Sequence, residues 1–140
     1  MNFDSKYPAI CDLRKKAKKR IPHFAWEYLD SGTGDESTLK LNRKALDEVR
    51  FVPRGLRGEI TPKIETSFLG QKYSVPVGIA PVGMSGLIWP GAEKILSSFA
   101  ATAKIPYTLS TVATATPEDV SPHLGDMGWF QIYPPRDEAI

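Results

Sequence analysis

The feature that most constrains this chain is the rhythm of its second half, where short apolar runs alternate with helical stretches. Val77-Gly78-Ile79-Ala80 lies between Pro76 and Pro81, and a run of that kind marks a strand buried on both faces. A glycine-containing loop follows, then a helical pattern from about Gly91 to Ala103. Ile105 to Leu109 is a second run, Pro117 to Leu124 a second short helix, and Trp129 to Tyr133 a third run. Arg136 to Ile140 reads as the opening of a third helix. Strands alternating with helices predict βαβ units and a parallel sheet. Such a sheet needs both faces covered, and a closed β/α barrel takes eight units and about 250 residues. Residues 75–140 therefore read as the first three β/α units of a truncated (β/α)8 TIM barrel.

Residues 1–74 follow a different pattern. Pro22 can open a helix, where its missing N–H costs nothing, and Phe24, Ala25, Tyr28 and Leu29 then form one apolar-aromatic face that Gly32 ends. Asp35 or Ser37 can cap a further helix with a core face of Leu41, Ala45, Leu46 and Val49. Phe51-Val52 and 65–68 look extended, and Gly70-Gln71 suggests a hairpin turn. The expected organisation is a helical segment with a hairpin over 1–74, covering a barrel portion over 75–140. No internal repeat beyond the βα alternation and no low-complexity segment is visible.

Charge excludes little but weighs against nucleic acid as a partner. The 140 residues carry a formal net charge of +2, too mild for a dedicated nucleic-acid binder. The exception is Arg14-Lys15-Lys16-Ala17-Lys18-Lys19-Arg20. It suits an anionic membrane surface, a nucleic acid or an acidic partner. It equally suits the solvated face of a helix whose other side carries Ile10, Leu13, Ala17 and Ile21, and the second reading is favoured. Cys11 is the single cysteine, so an internal disulfide is impossible, in keeping with a reducing compartment. The N-terminus lacks the basic start and apolar run of a secretory signal. No stretch approaches the ~20 apolar residues of a membrane helix. The expected location is the cytoplasm, with peripheral contact at the inner face of the membrane as a further expectation.

Candidate chemistry begins with absences. The Gly-rich nucleotide loops G-x-G-x-x-G and G-x-x-x-x-G-K-[ST] do not occur. One cysteine cannot build a cysteine zinc site, and no metal site is expected. His23 and His123, the two histidines, are placed on helices rather than at strand ends and read as surface residues. In parallel β/α arrays functional residues gather at the C-terminal ends of the strands. Those tips are Ala80-Pro81-Val82-Gly83-Met84, Leu109-Ser110-Thr111-Val112 and Gln131-Ile132-Tyr133. They offer close backbone approach at Gly83, hydroxyls at Ser110 and Thr111, an amide at Gln131 and a phenol at Tyr133. Such groups suit the polar edge of a heteroaromatic ligand. They also suit strand ends capped without a ligand, and spacing alone does not choose between the two.

The same residues carry a resemblance. The chain resembles the FMN-dependent α-hydroxy acid dehydrogenases and oxidases from about Tyr7 to its last residue. The matching pieces are Trp26-Glu27-Tyr28-Leu29-Asp30-Ser31-Gly32 with Asp35-Glu36-Ser37-Thr38-Leu39, Phe51-Val52-Pro53-Arg54, Leu69-Gly70, Val75-Pro76-Val77-Gly78-Ile79-Ala80-Pro81, Leu109-Ser110-Thr111 and Trp129-Phe130-Gln131-Ile132-Tyr133. Each is weak alone, and together their order and spacing are specific. The resemblance implies FMN as cofactor, with the backbone of Pro81, Val82 and Gly83 along the flavin and Ser110 and Gln131 bonded to its ring. It implies that Tyr28 and Tyr133 hold a small 2-hydroxy acid. Without it, Tyr28 would be read as a core aromatic.

Two positions suggest a branch. Val112 stands where glycolate oxidases carry Trp, and the stretch from Ile105 to Val112 looks most like the L-lactate dehydrogenases, with room for a substrate side chain. Gly83 stands where oxidases tend to have Ala, which implies a quinone or protein electron acceptor rather than oxygen. The departures are as informative. The family's histidine base, carboxylate-binding arginines, flavin lysine and phosphate site belong to later strands, so no catalytic residue is assigned here. Pro134-Pro135 also departs from the usual stretch after the tyrosine. The expectation is an inactive N-terminal portion of an FMN-dependent oxidoreductase, homo-oligomeric at full length. The alternatives are an independent or split FMN-binding module, and an interaction protein using the basic helix at 14–20.

Overall fold

A computed structural model describes residues 3–136. The chain divides into two compact units, Met1–Pro62 and Lys63–Ile140. The expected third helix at the end of the chain falls mostly on 137–140, outside the described residues.

The first unit contains α1 (Phe3–Lys6), α2 (Ile10–Lys18), α3 (His23–Asp30) and α4 (Ser37–Glu48). Proline 22 sits at the N-cap of α3 rather than inside its first turn. The buried edge of α3 is Ala25 and Trp26, while Phe24, Tyr28 and Leu29 are exposed. The helix is rotated from the expected face because Trp26 presents more apolar surface than its neighbours. Arg14 pins α2 to α3 with a two-pronged bond to Asp30 at 2.7 and 2.9 Å, which holds the Asp30 carboxyl below its usual range. Lys15 pairs with Asp12, and Lys16 reaches the Tyr7 hydroxyl, so members of the basic cluster are engaged within the unit. Ile10 is 84% exposed, so the stripe on the other side of α2 does not form a continuous buried face.

Glu36 precedes α4 in the left-handed region, and Asp35 Oδ1 accepts from the Ser37 N–H at 3.0 Å. Asp35, not Ser37, therefore closes this helix start, from outside the N-cap position. The expected core face of α4 is not buried: Leu41, Ala45, Leu46 and Val49 are all exposed. An amphipathic pattern fixes which face is apolar and leaves open what covers it. Phe51 and Val52 join no strand and are exposed.

The second unit starts with an antiparallel hairpin, β1 (Thr66–Phe68) and β2 (Gln71–Tyr73), in which Phe68 is opposite Gln71. The turn is thus Leu69-Gly70, one residue earlier than expected, with φ of 50° and 81°. Two consecutive positive φ values are what a tight two-residue hairpin turn requires, and Gly70 supplies one without steric cost. Then come α5 (Ser85–Ile88), α6 (Ala92–Ala103), β3 (Tyr107–Leu109), α7 (Pro117–Leu124), a 3-10 turn and β4 (Gly128–Phe130). The short α5 was not expected from the sequence. Thr116 caps α7 by a reciprocal capping box with Asp119, and Pro117 occupies the first turn, as the rules for helix starts require.

Strands β3 and β4 run parallel, Tyr107 opposite Gly128 and Leu109 opposite Phe130. The expected first strand is reduced to a single parallel bridge between Ile79 and Tyr107, with Ile79 N–H donating to Pro106 O at 2.8 Å and Thr108 N–H to Ile79 O at 3.0 Å. Pro76 and Pro81 limit its length, because proline cannot donate to a ladder. The third strand also ends early, at Phe130 rather than Tyr133. Pro134 and Pro135 cannot donate to any continuation of it.

One face of this small sheet packs on the helices. Ala100, Ile105, Tyr107, Leu109, Val120 and Leu124 form the buried cluster, with Val75, Ile79 and Leu96 against it. Strand alternation turns Thr108 and Ser110 to the other face. There the hairpin meets the sheet: Phe68 stacks on Trp129 with ring centres 5.5 Å apart, and Trp129 Nε1 donates to the Tyr73 hydroxyl at 3.1 Å. These contacts place the hairpin in the second unit, although the sequence groups it with the N-terminal helices. An open groove of about 440 Å³ lies between hairpin and sheet.

Candidate functional site

The parallel register of β3 and β4 aligns their C-terminal ends, so the residues just beyond Leu109 and Phe130 become neighbours. Gln131 N–H donates to Leu109 O at 2.9 Å, extending the ladder by one bond past the regular strand. The Ser110 hydroxyl donates to Gln131 Oε1 at 3.2 Å and accepts from Val112 N–H at 3.3 Å. The Thr111 hydroxyl donates to the Gln131 carbonyl. Ser110 is buried and Gln131 half-buried. Gln131 Nε2 has no hydrogen-bond partner among the described residues, so its two donors are available to a ligand.

The loop after the first strand joins this rim through Met84, whose N–H donates to Val112 O at 2.9 Å. Met84 adopts φ 51°, a left-handed conformation that is uncommon without a glycine. Pro81 and Gly83 are half-buried and Val82 is exposed on the same segment. Of the residues singled out from sequence, the structure thus brings Ser110 and Gln131 into contact and ties the 81–84 segment to them through Val112. Tyr133 lies beyond β4 and is exposed. Tyr28 lies on α3 of the first unit, exposed at its surface. His23 is on α3 beside Glu27 at 3.5 Å, and His123 is exposed on α7. Neither stands at a strand tip. Among the described residues no group of three His, Cys, Asp or Glu is arranged to hold a metal.

Sequence reasoning missed Glu93. In the first turn of α6 a carboxylate is ordinarily a solvated partner of the helix dipole, yet Glu93 is 2% exposed. Its Oε1 accepts from Gly86 N–H at 2.9 Å, from Thr114 N–H at 3.1 Å and from the Thr114 hydroxyl at 2.7 Å. Burial by itself raises its pKa. The bonds from Thr114, Ser85 and the backbone outweigh that and take it down to about 2. The ionised form is therefore the one built into the fold. Nearby Tyr107 is pushed the other way, by burial and by the Glu93 charge. The only sequence signal for this arrangement is the run of small residues Ser85-Gly86, which leaves space for an incoming side chain.

Chemically, the rim offers donors and acceptors suited to a planar polar ring edge, and no base or nucleophile of its own. Residues 17–140 match the FMN-dependent dehydrogenase family. An L-lactate dehydrogenase of Vibrio parahaemolyticus is 36% identical over 132 residues, which are 94% of this chain and 35% of that protein. The (S)-mandelate dehydrogenase of Pseudomonas putida is 34% identical over 122 residues, 87% of this chain and 31% of that one. A solved structure of mandelate oxidase superposes with a TM-score of 0.86 at 32% identity, covering 95% of this chain and 38% of its own. The chain thus spans about a third of the length of the relatives it matches. By a match that runs through most of its residues, the chain belongs to the FMN-dependent dehydrogenase family, whose cofactor is FMN.

Proposed function

We propose that this chain is the N-terminal portion of an enzyme that oxidises a small L-2-hydroxy acid, lactate-like, to the 2-oxo acid. In this reading residues 75–140 are the first three β/α units of a (β/α)8 barrel, and the strand tips form one wall of the flavin site. The observation that carries it is the Ser110–Gln131 pair at adjacent tips, with the Gln131 amide donors left without a partner among the described residues. The donor set fits FMN: an amide and hydroxyls complement the alternating carbonyl and N–H groups of its ring edge. When bound, FMN supplies the two-electron acceptor that takes the equivalent of a hydride from the substrate carbon.

The chain's own residues would then bind and orient. Ser110 and Gln131 hold the polar edge of the ring, and the backbone of Pro81, Val82 and Gly83 lies along it. Tyr28 and Tyr133 donate their phenol hydrogens to the substrate carboxylate. Val112, in place of a larger aromatic, leaves room for the substrate side chain. Gly83 favours a quinone or protein acceptor over oxygen, and the full-length protein is a homo-oligomer. The substrate proton needs a base within hydrogen-bond reach. Neither histidine of this chain stands at a strand tip, so that base comes from elsewhere, and the 140 residues alone are inactive.

The test uses a complete barrel carrying this segment. Purified protein should contain FMN and convert L-lactate to pyruvate with reduction of a quinone analogue. Flavin-free protein would overturn the reading. Stoichiometric FMN binding by the 140-residue chain alone would replace it with an independent flavin module.

A further inference from the structure

We propose that Glu93 is a positioning residue for the flavin face: its buried carboxylate fixes the separation between the turn after the first strand and the loop after the second. The inference rests on the flavin reading above, because those two segments carry the Pro81–Gly83 backbone and Ser110.

Two rungs join the segments. The first is direct, Met84 N–H to Val112 O at 2.9 Å. The second lies two residues further along both segments and runs through Glu93 Oε1, which accepts from Gly86 N–H at 2.9 Å and from Thr114 N–H at 3.1 Å. Two N–H groups face each other there and cannot bond directly. The carboxylate supplies the acceptor that both need, and Ser85 bonds it as well. The fit has no slack. A Cβ at Gly86 would stand 2.0 Å from Thr114 Oγ1 and 2.9 Å from Glu93 Oε2. Burying a carboxylate to support a helix start is costly, and an apolar side chain would pack as well. A saturated buried acceptor between two loops instead specifies geometry. That geometry includes Met84 in its left-handed conformation, which persists only where the surroundings over-determine it.

Two experiments separate positioning from general support of the fold. In the 140-residue chain, amide hydrogen exchange is compared for wild type, Glu93→Leu, which removes the acceptor, and Glu93→Gln, which keeps an oxygen acceptor in place of Oε1. The expected result is at least tenfold faster exchange at Met84 in Glu93→Leu, with Glu93→Gln near wild type and with Ile79 and Thr108 within twofold of wild type in both. Equal acceleration at all three amides would reduce Glu93 to a stability residue, and no change at Met84 would remove the brace altogether. In a complete barrel carrying this segment, Glu93→Leu should shift the visible spectrum of bound FMN. It should also lower kcat about tenfold with KM within twofold, while Glu93→Gln stays close to wild-type values. If wild type holds FMN and neither spectrum nor kcat moves in Glu93→Leu, the positioning inference fails alone. If wild type holds no FMN, it falls together with the flavin reading.

Discussion

The Ser110 hydroxyl and the Gln131 amide oxygen meet 3.2 Å apart at the ends of two parallel strands, 21 residues apart in sequence. One further bond holds the meeting point from below, Gln131 N–H to Leu109 O, and another reaches Ser110 from Val112 N–H. Gln131 is therefore set by the strand register, and Ser110 by that register together with the turn that follows it. Sites on regular elements are held more precisely than sites on loops.

Stability should fall in acid through Glu93. Its folded pKa of about 2 lies below its unfolded value, so the stabilisation is fully present above about pH 5 and is lost as pH drops toward 2. A shift of this size corresponds to roughly 3 kcal/mol. Urea unfolding at pH 7 and pH 3 should show roughly 2 kcal/mol of that loss in wild type and a clearly smaller one in Glu93→Gln. Equal pH dependence in both would show that Glu93 is not the linked group.

Gly86→Ala should destabilise the second unit. The added methyl meets the Thr114 hydroxyl oxygen at 2.0 Å, and overpacking of this kind costs about 1–3 kcal/mol. The companion Gly91→Ala meets nothing within 4 Å but sits at φ 74°, so its cost is conformational. Truncating Thr114 to Ala removes that oxygen, so adding Thr114→Ala should cost less in the Gly86→Ala background than in the Gly91→Ala background. Urea midpoints of the four variants decide it.

Leu124→Ala should cost about 2–5 kcal/mol. Leu124 is buried in the cluster shared by α6, α7 and β3, and Gly128 passes close to its side chain. Leu46→Ala on the exposed face of α4 should change the stability of the isolated chain by no more than about 0.5 kcal/mol. A large effect at Leu46 would mean that this face is covered in solution.

What was legible in the sequence was local. Pro117 to Leu124 was read as a short helix and is α7, and Gly91 marked the start of α6. The alternation of apolar runs with helices gave the parallel pairing of β3 and β4. The apolar run Val77 to Ala80 reads as a strand, but Pro76 and Pro81 at its ends leave it a single bridge. The α4 face misled because Leu41 and Leu46 mark an apolar side without naming what packs against it. At the site, the strand-tip rule singled out Ser110 and Gln131. Glu93 stayed hidden because burial of a carboxylate depends on the small residues opposite it, Gly86 and Thr114, which are distant in sequence.

The 140-residue chain alone should reduce no dye with L-lactate. General-base catalysis needs a base at the reacting atom, and His23 and His123 lie on α3 and α7. Steady dye reduction above a Tyr28→Phe control would contradict this.

The most direct test compares Gln131→Leu with Tyr133→Phe in a complete barrel carrying this segment, measuring flavin content and kcat/KM for L-lactate on each purified variant. Gln131 bonds Ser110 deep in the rim, while Tyr133 is exposed beyond the strand end. Losing one hydrogen bond to a charged carboxylate costs roughly 1.5–3 kcal/mol, or about ten- to a hundredfold. Tyr133→Phe should therefore keep its FMN and lose kcat/KM by that factor, and Gln131→Leu should lose FMN. A flavin-free Tyr133→Phe beside a flavin-replete Gln131→Leu would contradict the assignment of the strand tips.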